Sequence, residues 1–230
     1  MSKIPSKSLS IPILFVTFKA WALDPLVKII FFPINFFISS SKNLFLSKKL
    51  KVSEEEAKKI QKNYFHEYNT TLNGMIKNHD IDANEFLEFV HDVDLNFLKK
   101  DALLENQINR LDGKKIIFTN GSRAHAANVT KRIWIDKLFD GVFDIVDSDF
   151  YPKPSIEPYK KIIENYNIDP EYCIFFEDIA RNLKPAHELG MKTVWIKNKE
   201  PWAAEYSDAE FINYRTDNLA NFLKEINEYR

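Results

Sequence analysis

From position 114 onward the sequence alternates short apolar runs with helical stretches, and that alternation leaves few folds open. Residues 114–119, 143–146, 172–176 and 192–196 read as strands. Residues 122–132, 157–166, 183–189 (stopped by Gly190) and 219–229 read as helices. Such an order implies a parallel sheet with helices on both faces. The runs 116–118 and 174–176 are apolar at every position, as strands covered on both sides are. Open sheets of this kind bind ligands at the carboxyl ends of their strands. The residues just beyond each apolar run are therefore the place to look for chemistry.

At 230 residues, 45% hydrophobic and 14% aromatic, the chain is long enough for one core domain carrying a smaller insertion. A net charge of −1 gives no nucleic-acid footprint. The single cysteine, Cys173, excludes an internal disulfide and fits a reducing, cytoplasmic setting. Its place in an apolar strand makes it a buried structural thiol.

The first fifty residues differ from the rest. Up to Val52 the only acid is Asp24, against eight lysines. Lys3, Lys7 and the apolar run 11–18 resemble a secretory signal, but Pro12 and Lys19 interrupt it. Residues 29–38 are about half the length a membrane span needs and contain Pro33 and Asn35, so no membrane segment is expected. Whether this segment supplies a strand of the sheet is left open. Downstream, Ser53 with Glu56 forms a capping box that opens a helix toward Tyr68, and Asp82 opens another with Phe86, Phe89 and Val90 on one stripe. Residues 52–101 are expected to be wholly helical.

Three motifs sit at expected strand ends. Thr119-Asn120-Gly121-Ser122 offers a hydroxyl and helix-start N–H groups to phosphate oxygens, although Ser122 also suits an ordinary N-cap. Lys153, stiffened between Pro152 and Pro154, offers a fixed ammonium. Glu177-Asp178 places two adjacent acids after a buried run, where a hard cation such as Mg²⁺ would offset their repulsion, with Asn182 in support. Arg123 and His125 follow Thr119 closely, and Arg123 is a candidate substrate contact. His66, His79 and His91 lack metal-ligand spacing and are expected on the surface or in cap packing. Tyr64 and Tyr68 share a helix face at i, i+4, either lining a cap over a base or packing within it.

Together these motifs resemble the haloacid dehalogenase (HAD) superfamily of phosphohydrolases. Thr119 matches the family's second motif, Lys153 its third and Glu177-Asp178 its fourth. Tyr64-Phe65-His66-Glu67-Tyr68-Asn69-Thr70-Thr71-Leu72, the segment from Phe118 to Ala126, and Asp140-Gly141-Val142-Phe143-Asp144 are similar to its pyrimidine 5′-nucleotidase branch. The resemblance implies an α/β fold, a HAD-like Rossmannoid doubly wound parallel sheet with an inserted helical cap. Residues 1–49 would be a divergent segment holding the first core strand region, 50–104 the cap and 105–230 the core. It implies Mg²⁺-dependent hydrolysis of a small-molecule phosphate monoester, nucleotide-like, through an aspartyl-phosphate. Catalytic residues would be Asp24, Thr119 and Lys153; substrate contacts Thr119, Asn120, Gly121 and Arg123; metal ligands Glu177 and Asp178. No nucleic acid or membrane partner is implied.

Two departures from the family pattern follow. Asn69 stands where Gly is usual, and Asn is the next best residue for a left-handed turn. The first motif, Asp-x-Asp-x-Thr, is replaced by Ala22-Leu23-Asp24-Pro25-Leu26. One register makes Asp24 the second acid and loses the nucleophile to Ala22; the other makes it the nucleophile and loses the acid to Leu26. Residues 29–37 also lack the amphipathic spacing expected after that motif. The alternatives are an upstream reading-frame disruption or a catalytically impaired relative that binds phosphate or a partner.

Overall fold

The computed structural model describes the backbone of residues 13–16 and 28–229 and the side chains of residues 38–229. The N-terminal half holds β1 (Ile13–Val16), α1 (Lys28–Leu50), α2 (Glu54–Tyr68), α3 (Thr71–Asn78), α4 (Ala83–His91) and α5 (Ala102–Asn109). Then follow β2 (Lys114–Phe118), α6 (Arg123–Arg132), β3 (Gly141–Phe143), α7 (Glu157–Tyr166) and β4 (Cys173–Glu177). The chain continues through α8 (Leu183–Glu188), β5 (Lys192–Ile196), α9 (Pro201–Ala204), β6 (Tyr214–Thr216) and α10 (Leu219–Glu228).

The strands form one sheet in the order β3-β2-β1-β4-β5-β6, every neighbouring pair parallel. Part of the apolar run 11–18 thus supplies the central strand: Val16 pairs with Ile117 on one side and Phe176 on the other. Period-two alternation sorts the side chains to two faces. Ile116, Phe118, Cys173 and Phe175 pack with α7 and α8, whereas Ile117, Ile174 and Phe176 pack with α5, α6 and α10. This doubly wound arrangement reverses its strand order at β1, between β2 and β4, which is where ligands bind in such sheets.

Two expectations need correction, the strand over 143–146 and the helical reading of 92–101. Residues 29–37 lie in α1 despite their unpatterned spacing. The helix is fixed at its far end, where Phe45 and Leu46 are buried among Leu72, Met75, Phe86, Leu87 and Val90, and tertiary packing of this kind outweighs local pattern. Phe45 and Leu46 of α1 thus pack with residues of α3 and α4. The strand expected over 143–146 ends at Phe143. There the Asp144 carboxylate accepts hydrogen bonds from the N–H groups of Val146 and Asp147, both at 3.0 Å, and turns the chain out of the sheet. Residues 92–101 are irregular rather than helical: Asp94 accepts from Asn96 N–H at 2.8 Å, and Arg132 holds the carbonyls of Leu95 and Asn96. The other expected elements stand within a residue or two, and Asn69 takes the left-handed turn after α2 at φ 65°.

Helices α1–α4 meet the loop after β3 through the same cluster, which includes Ile145 and Phe150. Within it, Gly74 of α3 lies against Tyr64 of α2, whose Cβ would stand 2.5 Å from a Cβ added at position 74. Gly74→Ala is therefore expected to destabilise by about 1–3 kcal/mol through overpacking, despite the higher helix propensity of alanine. A urea titration checks it; a more stable variant would mean that Tyr64 can shift.

Candidate active site

The three motifs converge at the carboxyl ends of β2 and β4, on either side of β1. Thr119 directly follows β2, and its Oγ1 accepts the Gly121 N–H at 2.9 Å. That bond uses an oxygen lone pair and leaves the hydroxyl proton to donate outward. Asn120 points across to Lys153: its Oδ1 accepts from Lys153 N–H at 2.9 Å and its Nδ2 donates to the Lys153 carbonyl at 3.2 Å. This reciprocal pair clamps the lysine's backbone to the Thr119 turn.

The Lys153 side chain then runs inward and is buried, as is Glu177. Its ammonium donates to the Phe118 carbonyl at 3.0 Å and to Glu177 Oε2 at 2.8 Å, and lies over the Phe118 ring at 4.7 Å. Two of its three protons are thereby engaged, and the third is available for an anion. The Lys153–Pro154 peptide is cis. Burial pushes the Glu177 carboxyl up, but the Lys153 ammonium, a hydrogen bond with the Asp178 side chain and the Ile179 N–H outweigh it and hold the group below the usual glutamate range.

Both Glu177 oxygens are committed, Oε1 accepting from Ile179 N–H at 3.1 Å. Asp178 is the member of the acid pair that Lys153 does not take. Its carbonyl accepts from Trp195 Nε1 at 2.8 Å, and its Oδ2 accepts from Asn198 Nδ2 at 3.0 Å, so Asn198, just beyond β5, orients the carboxylate. Buried Asn182 completes this side: its carbonyl accepts the Tyr159 hydroxyl at 2.6 Å. Among the described residues no three His, Cys, Asp or Glu side chains gather as a protein metal cage.

Thr119, Asn120, Gly121, Lys153, Glu177 and Asp178 are thus brought together. Arg123 is directed elsewhere, into an ion pair with Asp147 at 2.6 Å, while its N–H caps Asp144 at 2.7 Å. Asp24 lies outside the described residues. The sequence reading missed Asn198 and Tyr159 as site supports, because neither adjoins a motif in the chain. It also missed the seam where Phe65 of α2 meets Trp202 edge-on at 5.2 Å and Arg181 across its face at 5.2 Å. Tyr64 and Tyr68 pack against each other at 5.6 Å, with the Tyr64 hydroxyl 2.7 Å from His79 Nε2. Cys173 is buried, donates to the Asp169 carbonyl at 3.0 Å, and is pushed up to about 12 by burial and the Asp169 charge, which makes it an inert thiol. Among the described residues no helix is long and apolar enough to cross a membrane.

Known proteins share both this sheet and its sequence signals. Phosphate metabolism protein 8 of Saccharomyces cerevisiae is 26% identical over 236 residues, covering 89% of this chain and 72% of the yeast protein. Glyceraldehyde 3-phosphate phosphatase of Pyrococcus furiosus is 28% identical over 109 residues, 47% of this chain and 45% of that one. A putative HAD-hydrolase of Bacillus subtilis, solved bound to magnesium, superimposes with a TM-score of 0.58 at 15% identity, covering 94% of this chain and 98% of the other. The sequence pattern of the haloacid dehalogenase-like hydrolases matches residues 35–190, a span that contains the Thr119 turn, Lys153 and the Glu177-Asp178 pair. With that match over most of its length, and the three motifs meeting at one end of one parallel sheet, the chain belongs to the haloacid dehalogenase-like hydrolases.

Proposed function

We infer that this hydrolase is a Mg²⁺-dependent phosphomonoesterase for a small nucleotide-like substrate, of the pyrimidine 5′-nucleotidase type. The observation that carries the reading is the Asn120–Lys153 clamp, which holds a hydroxyl, an ammonium and a buried carboxylate around one strand-end space. The names of the yeast and archaeal relatives agree with phosphate-ester chemistry, and the 64–72 and 118–126 segments support the nucleotidase branch. A reducing, cytoplasmic setting is part of the same reading and rests on the lone, buried Cys173.

The described carboxylates suit magnesium, which typically takes one or two protein carboxylates and completes its shell with water and phosphate oxygens. Asp178 would hold it, with Glu177 behind. Bound there, the ion supplies charge neutralisation and orientation for the phosphoryl group. Thr119 donates its hydroxyl proton to one phosphoryl oxygen and Lys153 its third ammonium proton to another. Both groups are fixed before substrate arrives, so they strengthen as negative charge shifts in the transition state. Asp24 is the proposed attacking carboxylate: its oxygen bonds to phosphorus, the phosphorus–alkoxide bond breaks, the alkoxide takes its proton from solvent water because Leu26 stands where this register would need an acid, and a second water attacks the acyl phosphate to release phosphate and free Asp24.

One observation favours a second reading, a catalytically impaired phosphate-binding protein. β1 ends at Val16, the sequence continues Thr17-Phe18-Lys19, and the first acid of the chain is Asp24, well beyond the strand end. Phosphate release from p-nitrophenyl phosphate and from pyrimidine monophosphates, with Mg²⁺ and with EDTA, separates the two. Mg²⁺-dependent turnover that Asp24→Asn removes by a factor of about 10³ or more establishes the enzyme. Folded protein that binds phosphate without turnover establishes the binding protein.

A further inference from the structure

His91, the last residue of α4, is where the cap reaches the phosphate-binding turn. Its Nδ1 lies 3.0 Å from Ser122 Oγ, and its ring stacks on that of His125 with centroids 4.4 Å apart and planes 16° apart. A Cβ built on Gly121 would stand 3.3 Å from Thr119 Oγ1 and 3.5 Å from His91 Nε2. The hydroxyl already assigned to phosphate and the imidazole edge therefore border the same small space, kept open by a glycine. Ser122 Oγ accepts the His125 N–H at 3.3 Å as the N-cap of α6, which leaves its own proton to donate to His91 Nδ1. Where Ser122 is the donor, the neutral ring carries its proton on Nε2, the nitrogen facing the turn. The stacked partner does not repel a cation or compete for a proton at neutral pH, because burial and the Lys42 charge lower His125 to about 4.

We propose that His91 is a substrate contact delivered by the cap: anchored through Nδ1 to Ser122, it donates from Nε2 to an oxygen of the phosphoryl group that Thr119 receives. The proposal rests on the phosphate-ester reading above and adds to it that the anion site is complete only with the cap seated. None of the motifs in the sequence includes this residue. Binding of an oxyanion and closure of the cap would then be one event, since the same imidazole serves both.

Three substitutions separate hydrogen bonding from packing. His91→Ala removes ring and donor, His91→Phe keeps a ring for the stack on His125 but has no donor, and His91→Gln keeps an N–H without the ring. Calorimetric titration of each full-length protein with inorganic phosphate in the presence of Mg²⁺ reads the contact without requiring turnover, and a thermal melt accompanies it. The loss of one hydrogen bond to an anion predicts affinity about tenfold weaker for His91→Ala and His91→Phe, with His91→Gln within about threefold of the parent. Where the parent turns over substrate, kcat/KM follows the same order. A parent that binds phosphate in this order but hydrolyses nothing retains the proposal and removes the enzyme reading. Binding by His91→Phe equal to the parent overturns the proposal and leaves His91 a packing residue, whatever the turnover. A parent that does not bind phosphate at millimolar concentration overturns the proposal as well.

Discussion

Replacing Lys153 by methionine is expected to destabilise the fold by about 3–5 kcal/mol, the largest loss for any single polar substitution at this site. The methionine fills much of the same volume, so packing changes little. What it removes is the cation facing Glu177, which is 1% exposed and 2.8 Å from the ammonium. The remaining carboxylate would be buried with only the Ile179 N–H and Asp178 to satisfy it, while the Phe118 carbonyl loses its donor. The effect has a pH signature whose sign follows from the direction of the Glu177 shift. In the parent protein Glu177 titrates below its unfolded value of 4.5, so its stabilising contribution is complete above that pH and is lost as pH falls through the folded value. In Lys153→Met the unpaired burial drives Glu177 upward instead, so the deficit is largest at neutral pH and shrinks as acid protonates the carboxyl. Urea denaturation at pH 7.5 and at pH 5 measures both. Pairing Lys153→Met with Glu177→Gln should recover a large part of the loss, because a neutral amide tolerates the site. A single variant with unchanged stability at pH 7.5 would show that water reaches Glu177 and that the pair is not desolvated.

The same residues show what could be read in the sequence and what could not. The sheet was legible because its strands are short, apolar and punctuated: 116–118 and 174–176 leave no polar face, and only a sheet covered on both sides accommodates that. The site was legible for the same reason, since Thr119, Lys153 and Glu177-Asp178 interrupt apolar or proline-stiffened sequence where a surface would have spread them. Illegible were features set by tertiary neighbours. Residues 29–37 have no helical stripe, and α1 is fixed by Phe45 and Leu46 packing against α3 and α4. β3 ends early because one Asp144 carboxylate captures three backbone N–H groups, two of them local and one from Arg123. Arg123 itself looks like a phosphate ligand by position, yet Asp147 lies 24 residues away in sequence and 2.6 Å away in space. Asn198 and His91 reach the site from other elements, and no local spacing announces such a side chain.

Asp178→Asn tests the other half of the site, the carboxylate proposed to hold the metal. The substitution is isosteric. The Trp195 bond is made to the backbone carbonyl and survives, and an amide oxygen can still accept from Asn198 Nδ2. Stability should therefore stay within about 1 kcal/mol of the parent, in contrast to Lys153→Met. Activity should not. On the proposed reading Asp178 is the carboxylate that would hold Mg²⁺, and a metal contribution of several kcal/mol to the transition state corresponds to about 10³-fold or more in Mg²⁺-dependent turnover. Asn198→Ala, which only loosens the rotamer of Asp178, should cost less, about 10–100-fold in Mg²⁺ affinity. The measurement is turnover against Mg²⁺ concentration for the three proteins, beside their melting curves. Turnover in Asp178→Asn within threefold of the parent at the same Mg²⁺ midpoint would move the metal to another carboxylate. A steep loss that tracks the melting temperature would instead make Asp178 a structural residue. Loss of turnover from a protein that still melts as the parent does is the expected outcome, because the buried charge balance rests on the Lys153–Glu177 pair and not on Asp178.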